Sequence, residues 1–327
     1  MEYRKLCNSN LDLSVITFGA WAAGGWMWGS TDRNDAVEAI RASFDEGVTS
    51  IDTAPIYGQG ASEDIVGEAI KGIARDKVQL LTKFGMRWDL ESPKGDFAMH
   101  TKDNSGKDID VYRYAAKDSV IKEVEDSLKR LGTDYIDLLQ LHWPDSTTPI
   151  SETMEAMEIL LQQGKIRAAG VCNYNVEQVK EAKQTLNIAS NQVPYSMLNR
   201  GIESELVPYA LEHNLGIIAY SPMERGLLTG KYRGETSLKE GDHRQQYFKK
   251  FEGKDVVGLL DEIKPLATDK GASLAQLVLR WTTLQPGITV VLAGARNKEQ
   301  AVSNAKAMQI DLSASERDII AKALARL

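Results

Sequence analysis

The sequence predicts an α/β fold, a single-domain (β/α)8 TIM barrel, on three observations: its length, an eightfold alternation of strand-like and helix-like segments, and long loops that all follow strands. The chain has 327 residues, enough for one such barrel. No composition break or linker divides it, which favours one closed barrel over two doubly wound halves. Residues 1–14 read as an N-terminal hairpin cap and residues 313–327 as a closing helix.

Short apolar runs rich in β-branched residues fall at Val15–Phe18, Val48–Ile51, Val78–Thr82, Tyr135–Leu141, Arg167–Val171, Ile188–Val193, Gly216–Ala219 and Thr289–Leu292. Between and after them, helical spacing appears at Asn34–Glu46, Ser62–Lys71, Lys117–Leu131, Ser151–Gln163, Val176–Thr185, Ile202–His213, Ser273–Leu284 and Lys298–Ala307. Met154, Met157, Leu160 and Leu161 give the stripe of a helix packed on a sheet. Three stretches exceed ordinary loop length: Gly19–Ser30, Phe84–Ala115 and Ser221–Asp255. All three follow strands, which places them on the C-terminal face where this fold builds its sites. The last two are polar and Gly-containing, and read as mobile.

Composition narrows the function. A formal net charge of -7 argues against nucleic acid as a partner. Met1–Leu13 has no apolar signal core, and no run is long enough to span a membrane, so the chain reads as cytoplasmic with no membrane partner. Cys7 and Cys172 are too few for a disulfide framework. The four histidines are scattered and no HExxH, Cys-x-x-Cys or GxSxG occurs, so no metal or serine-hydrolase site is expected.

Polar residues stand where apolar runs end: Asp52, Lys83, His142 and, within IASNQV, Gln192. Each alone is the ordinary start of a solvated loop. An acid, a lysine and a histidine at parallel strand ends, however, share one face. Tyr57 follows Asp52 by five residues in a loop restricted by Pro55 and Gly58. A phenol with a pKa near 10 keeps its proton at neutral pH. An ammonium from Lys83, itself held by Asp52, is expected to lower that pKa into the range useful to a general acid, with His142 orienting the substrate oxygen. Trp21, Trp26, Trp28 and Trp143 on the same face read as pocket walls, with core packing the alternative for one or two of them.

A proton donor for a carbonyl needs a hydride donor as partner, yet no dinucleotide fingerprint is present. Gly58–Glu63 lacks the third glycine and does not directly follow a strand, and Gly226–Lys231 is too short for a phosphate loop. Gly294 through Gln300, continuing to Asn304, is a better anion site: a strand end, a glycine and a helix N-terminus, with Arg296 or Lys298 to read a 2′-phosphate. A capped helix carrying surface charge is the plainer alternative.

The motifs IDTAPIYGQGASEDIVGEAI, LLTKFG, DYIDLLQLHWPD, GKIRAAGVCNYN, NQVPYSMLNR, YSPMERGLLTGKY and LAGARNKEQAVSN, in this order, make the chain resemble the aldo-keto reductases, especially the branch of bacterial general-stress reductases and potassium-channel β-subunits. The resemblance covers nearly the whole chain. It implies a barrel using NADPH/NADP+ bound extended over the C-terminal face, with Asp52, Tyr57, Lys83 and His142 as catalytic tetrad and a small-molecule carbonyl or alcohol as substrate. It implies that Asn173 and Gln192 hold the carboxamide and Tyr220 stacks on the nicotinamide. Gly19, Ala20, Trp21 and Asp52 would border the cofactor, Ser221, Pro222, Met223, Leu227 and Lys231 would line the pyrophosphate, and Gly294, Arg296, Gln300 and Asn304 would hold the adenosine and its 2′-phosphate. Residues 84–115 become the substrate-side loop and 221–255 the cofactor-side loop. Ala20 replaces the commoner threonine of the first loop, Cys172 stands where many relatives have serine, and Glu224 puts an acid beside the pyrophosphate loop, from which it is expected to point away. Two rival readings stay open: an NADP(H)-binding regulatory subunit with slow turnover, and a Schiff-base lyase using Lys83.

Overall fold

In the computed structural model, which describes residues 1–28, 31–232, 238 and 243–327, eight parallel strands close into a barrel in chain order. They are β1 (Ile16–Gly19), β2 (Ser50–Asp52), β3 (Gln79–Phe84), β4 (Ile136–Leu141), β5 (Ile166–Cys172), β6 (Ser190–Pro194), β7 (Gly216–Tyr220) and β8 (Ile288–Gly294). β8 pairs with β1 at Gly294 and Gly19, which completes the circle. Every strand lies where an apolar run predicts one. Parts of the 19–30 and 221–255 loops lie outside the described residues.

Helices α1 (Arg33–Asp45), α2 (Ala61–Ala69), α3 (Lys117–Leu131), α4 (Ile150–Gln162), α5 (Val176–Thr185), α6 (Leu206–Glu212), α7 (Leu274–Thr283) and α8 (Lys298–Ala305) follow the strands. Sequence sets their ends: Asn175 and Ser273 each close a capping box with the glutamine three residues on, and Asn297 caps α8. Among the described residues no helix is long and apolar enough to cross a membrane.

Two apolar layers result from strand alternation. Outward residues such as Ile51, Leu80, Leu139, Val171 and Val291 pack against the helices. Inward residues Leu81, Leu138, Ala168, Ile218 and Val290 join Leu6, Leu11 and Leu13 of an antiparallel hairpin, Tyr3–Lys5 with Asp12–Ser14, which plugs the barrel floor.

Two regions depart from the sequence reading. The 84–115 stretch is not an irregular loop: Met86–Arg87, Asp96–Lys102 and Asp108–Arg113 form a three-stranded antiparallel sheet. Its hairpin turns at Asp103, whose carboxylate accepts from the backbone of Ser105 and Lys107, while Gly106 adopts φ 86°. A helix at Val256–Asp269, capped by Asp255, occupies residues to which the apolar pattern assigned nothing.

Candidate active site

Alternation carries a polar layer above the apolar floor. Leu81 faces inward, so Lys83 on the same strand does too, as do Gln140 and His142 above Leu138. Register sets Asp52 beside Leu81, Lys83 beside Gln140, and Cys172 beside Gln192. Asp52, Lys83, Gln140 and Gln192 are all at most 3% exposed. Lys83 Nζ donates to Asp52 Oδ1 at 2.5 Å and to the Thr53 carbonyl at 2.9 Å. The other carboxylate oxygen of Asp52 accepts from Gln192 Nε2 at 2.9 Å and Gln140 Nε2 at 3.3 Å. Each charge in this buried pair is therefore hydrogen-bonded, which is the condition for tolerating it in a core.

The Tyr57 loop is locked from both sides. Thr53 Oγ1 and Ser62 Oγ lie 2.8 Å apart, and Ser62 Oγ donates to the Ala20 carbonyl. Gly58 has φ 68°, and a side chain there would sit 2.4 Å from the Gly24 carbonyl oxygen, so the first loop packs directly on the turn. Tyr57 emerges with Lys83 Nζ 5.0 Å from its ring centroid, His142 edge-on at 5.6 Å and Trp21 stacked at 5.9 Å.

Electrostatics here differ from expectation at one point. Burial pushes the Tyr57 phenol up to about 12, and the Lys83 ammonium only partly offsets this. The anticipated net lowering by Lys83 is overturned, because removing a phenolate from water outweighs one nearby cation. Burial opposes the Lys83 charge as well, but Asp52 and Tyr57 outweigh it and raise its pKa. Burial, then Lys83, drives His142 well below its usual value, so its imidazole is neutral. A lysine held as an ammonium is not the free amine an imine would need.

The residues expected to hold the cofactor gather at the ends of six strands, with Gly19 on β1, Asp52 on β2, Asn173 after β5, Gln192 on β6, Tyr220 on β7 and Gly294 on β8. Asn173, at φ 60° just past β5, donates from Nδ2 to the His142 carbonyl and accepts at Oδ1 from the Tyr220 hydroxyl. Both ends of its amide are thus engaged within the protein, as is the Gln192 amide nitrogen. Tyr220, Ser221, Met223 and Leu227 are half-buried along one edge, Pro222 is buried, and Lys231 is exposed. Glu224 turns away from that edge into the fold, where it accepts hydrogen bonds from the Ser196 and Tyr247 hydroxyls. At the β8 end Gly294 is exposed, Asn304 Nδ2 donates to its carbonyl at 3.0 Å, and Gln300 caps the Arg296 backbone N–H. The Arg296 side chain is half-exposed and without a polar partner among the described residues, at the N-terminus of α8. This end presents a free cation and a helix N-terminus, the donor set a phosphate needs.

Of the four tryptophans, Trp26 is buried and donates to the Lys102 carbonyl, tying the first loop to the sheet. It packs with Ala54, Ile56, Met86 and Val111 rather than facing a cavity. Trp21, Trp28 and Trp143 are half-buried, and the Arg113 guanidinium lies 5.3 Å from the Trp143 ring centroid. Sequence reasoning missed Gln140 and Arg225. Gln140 had a signal, an amide two residues before His142 near the end of a mostly apolar strand. Arg225 had none, since its contacts come from distant loops: its guanidinium carbon lies 4.9 Å from the Trp21 ring centroid and 3.8 Å from that of Tyr247.

Comparison with known proteins agrees with this fold. The chain is 40% identical to the aldo-keto reductase YhdN of Bacillus subtilis over 92% of its length and 86% of that protein's. It is 33% identical to the NADH-specific methylglyoxal reductase of Escherichia coli, covering 98% and 97% of the two chains. Among solved structures, the glycerol dehydrogenase AKR11B4 of Gluconobacter oxydans superposes with a TM-score of 0.86 at 36% identity, over 99% of this chain and 95% of that one. An aldo-keto reductase of Klebsiella pneumoniae in complex with NADPH gives 0.75 at 30% identity, over 98% and 95%. The sequence profile described as the aldo/keto reductase family matches residues 15–325, and the chain belongs to that family.

Proposed function

We propose that this protein reduces aldehyde or ketone carbonyls with NADPH, or runs the reverse oxidation of alcohols, with Tyr57 as general acid. One observation carries the reading: the Tyr57 ring lies 5.0 Å from the Lys83 ammonium and 5.6 Å, edge-on, from the His142 ring, in surroundings whose burial favours a protonated phenol and a neutral imidazole. When bound, NADPH would supply the hydride. Tyr57 would donate its proton to the carbonyl oxygen as charge develops there, and Lys83 would stabilise the resulting phenolate. Neutral His142 would bond the same oxygen and fix its direction. Asp52, anchored by Gln140 and Gln192, would keep Lys83 charged and in place.

Asn173, Gln192 and Tyr220 are the residues proposed to border the nicotinamide. Ser221, Pro222, Met223, Leu227 and Lys231 would line the pyrophosphate. Gly294, Arg296, Gln300 and Asn304 would take the adenosine end. The unpaired Arg296 at the α8 N-terminus supports NADPH over NADH, as does the NADPH complex of the Klebsiella protein. The NADH-specific relative argues the other way. Titration with each cofactor, followed by tryptophan quenching, decides between them. The same protein is then assayed for nicotinamide oxidation with simple aldehydes. Expected are tighter binding of NADPH and turnover of at least one aldehyde; binding of neither cofactor would overturn the proposal.

A further inference from the structure

Outside the tetrad, the rim of the site holds a cluster of flat donor groups with nothing to donate to. Trp21 and Trp28 meet edge to face at 5.3 Å, and the Arg225 guanidinium covers Trp21 at 4.9 Å. The indole N–H of Trp21, the indole N–H of Trp28 and Nε of Arg225 are all buried, and none has a hydrogen-bond partner among the described residues. A buried unmade hydrogen bond costs roughly 1–3 kcal/mol, and native proteins rarely leave several in one place.

Charge tells the same story. Arg225 forms no ion pair among the described residues, although Glu224 is its chain neighbour. The Glu224 carboxylate is instead bonded to the hydroxyls of Ser196 and Tyr247. Arg225 is held in this position by left-handed backbone at φ 55°, next to Glu224 at φ 46°, a conformation that costs a non-glycine residue about 1–3 kcal/mol. A half-buried guanidinium that Glu224 attracts but does not reach in a salt bridge, beside two indole donors without partners among the described residues, is a deficit of acceptors and of close negative charge. Trp21 stacks directly on Tyr57, so this deficit lies one ring away from the proton donor.

We infer that Trp21, Trp28 and Arg225 form an anion-recognition subsite beside Tyr57, selecting carbonyl substrates that carry a carboxylate. A carboxylate is planar, accepts at several lone pairs and matches a guanidinium edge, so one group answers both deficits. The inference rests on the carbonyl-reductase reading and deepens it to a substrate class. The cofactor's own pyrophosphate is the competing anion, and the test separates the two.

The experiment compares 4-oxobutanoate with butanal, aldehydes alike except for the carboxylate, in the full chain with NADPH. The wild type should favour 4-oxobutanoate by at least about tenfold in kcat/KM. Trp28→Phe keeps a ring and removes the N–H, and Arg225→Gln removes the charge. Each should cut that ratio about tenfold, chiefly by raising KM for the carboxylated aldehyde. A wild-type ratio near one, or a ratio unmoved in both variants, overturns the subsite. Equal losses for both aldehydes together with weakened NADPH binding would assign the anion to the cofactor and also overturn it. If neither aldehyde is turned over but butanoate, unlike butanol, quenches tryptophan fluorescence in the wild type and less in Trp28→Phe, the subsite stands and the reductase reading fails.

Discussion

The floor and the rim of the barrel mouth are built on opposite terms. On the floor, Asp52, Lys83, Gln140 and Gln192 are buried side chains on strand ends, and their hydrogen bonds close on one another. On the rim, Trp21, Trp28 and Arg225 come from loops and keep donors without acceptors among the described residues. A closed network holds a constellation in one geometry, which is what proton transfer requires. An open one waits for a ligand, which is what selectivity requires. On the proposed reading, chemistry and choice of substrate reside in separate layers, and substitutions in each layer should fail differently.

The largest effect is expected on the floor. Tyr57→Phe should lower kcat for carbonyl reduction by about 10²–10⁴, the usual worth of a positioned general acid, while NADPH titration curves superimpose on those of the wild type. Comparable turnover in the variant would move the proton donor elsewhere and collapse the distinction between layers. Next comes Lys83→Met. Removing the ammonium leaves Asp52 charged and buried with only amide partners, a defect worth about 3–5 kcal/mol. Urea denaturation should register that loss together with loss of turnover. A variant as stable as the wild type would mean that water reaches Asp52.

The proposed adenosine end is rim-like in having a cation, Arg296, without a polar partner among the described residues, and its expected effect is smaller. Arg296→Ala should weaken NADPH by roughly five- to tenfold, since the side chain is half-exposed and solvent screens it. NADH should be nearly unaffected. Equal losses for both cofactors in a fluorescence titration would remove Arg296 from 2′-phosphate recognition.

The same division decided what could be read from the sequence. Asp52, Lys83 and His142 stood out because an apolar strand ends at each, and strand ends in a parallel barrel share a face. Gln140 was equally legible by alternation with His142, and was overlooked because a lone amide in an apolar run resembles a register mark rather than an anchor. The helix Val256–Asp269 also carried its signal, with Val256, Leu259, Leu260, Ile263 and Ala267 buried on one stripe interrupted only by Pro265. The sheet at residues 86–113 alternates at Asp108–Val111 but not along Asp96–Lys102, where Phe97 is exposed and a register shift falls between Phe97 and Met99. Arg225 was not legible at all. Its stacking between Trp21 and Tyr247 joins residues some two hundred and some twenty positions away, and no local pattern encodes such a meeting. Nor did the sequence contain the depth at which Tyr57 sits, so the sign of its pKa shift was misjudged.

That sign makes the smallest prediction, a flat line, the one that most sharpens the comparison. With the phenol pushed up to about 12 and His142 neutral, neither group changes charge in the middle of the pH range. The kcat of carbonyl reduction should therefore vary little between about pH 7 and pH 9. A limb near neutrality would mean that a group with an ordinary histidine pKa carries the proton, and that the floor is wetter than its burial implies. Tyr57 and His142 should each bend stability only outside that window. For Tyr57 the folded pKa lies above the unfolded value, so its contribution is complete below pH about 10 and is lost as pH rises from there toward about 12. For His142 the folded pKa lies below the unfolded value, so its contribution is complete above pH about 6.5 and is lost as pH falls. Urea midpoints measured across both flanks should fall on each side. Tyr57→Phe should shrink the alkaline fall without abolishing it, because burial also pushes up the Tyr174, Tyr195, Tyr220 and Tyr247 phenols and the Cys172 thiol, and should leave the acid one, because His142 keeps its surroundings.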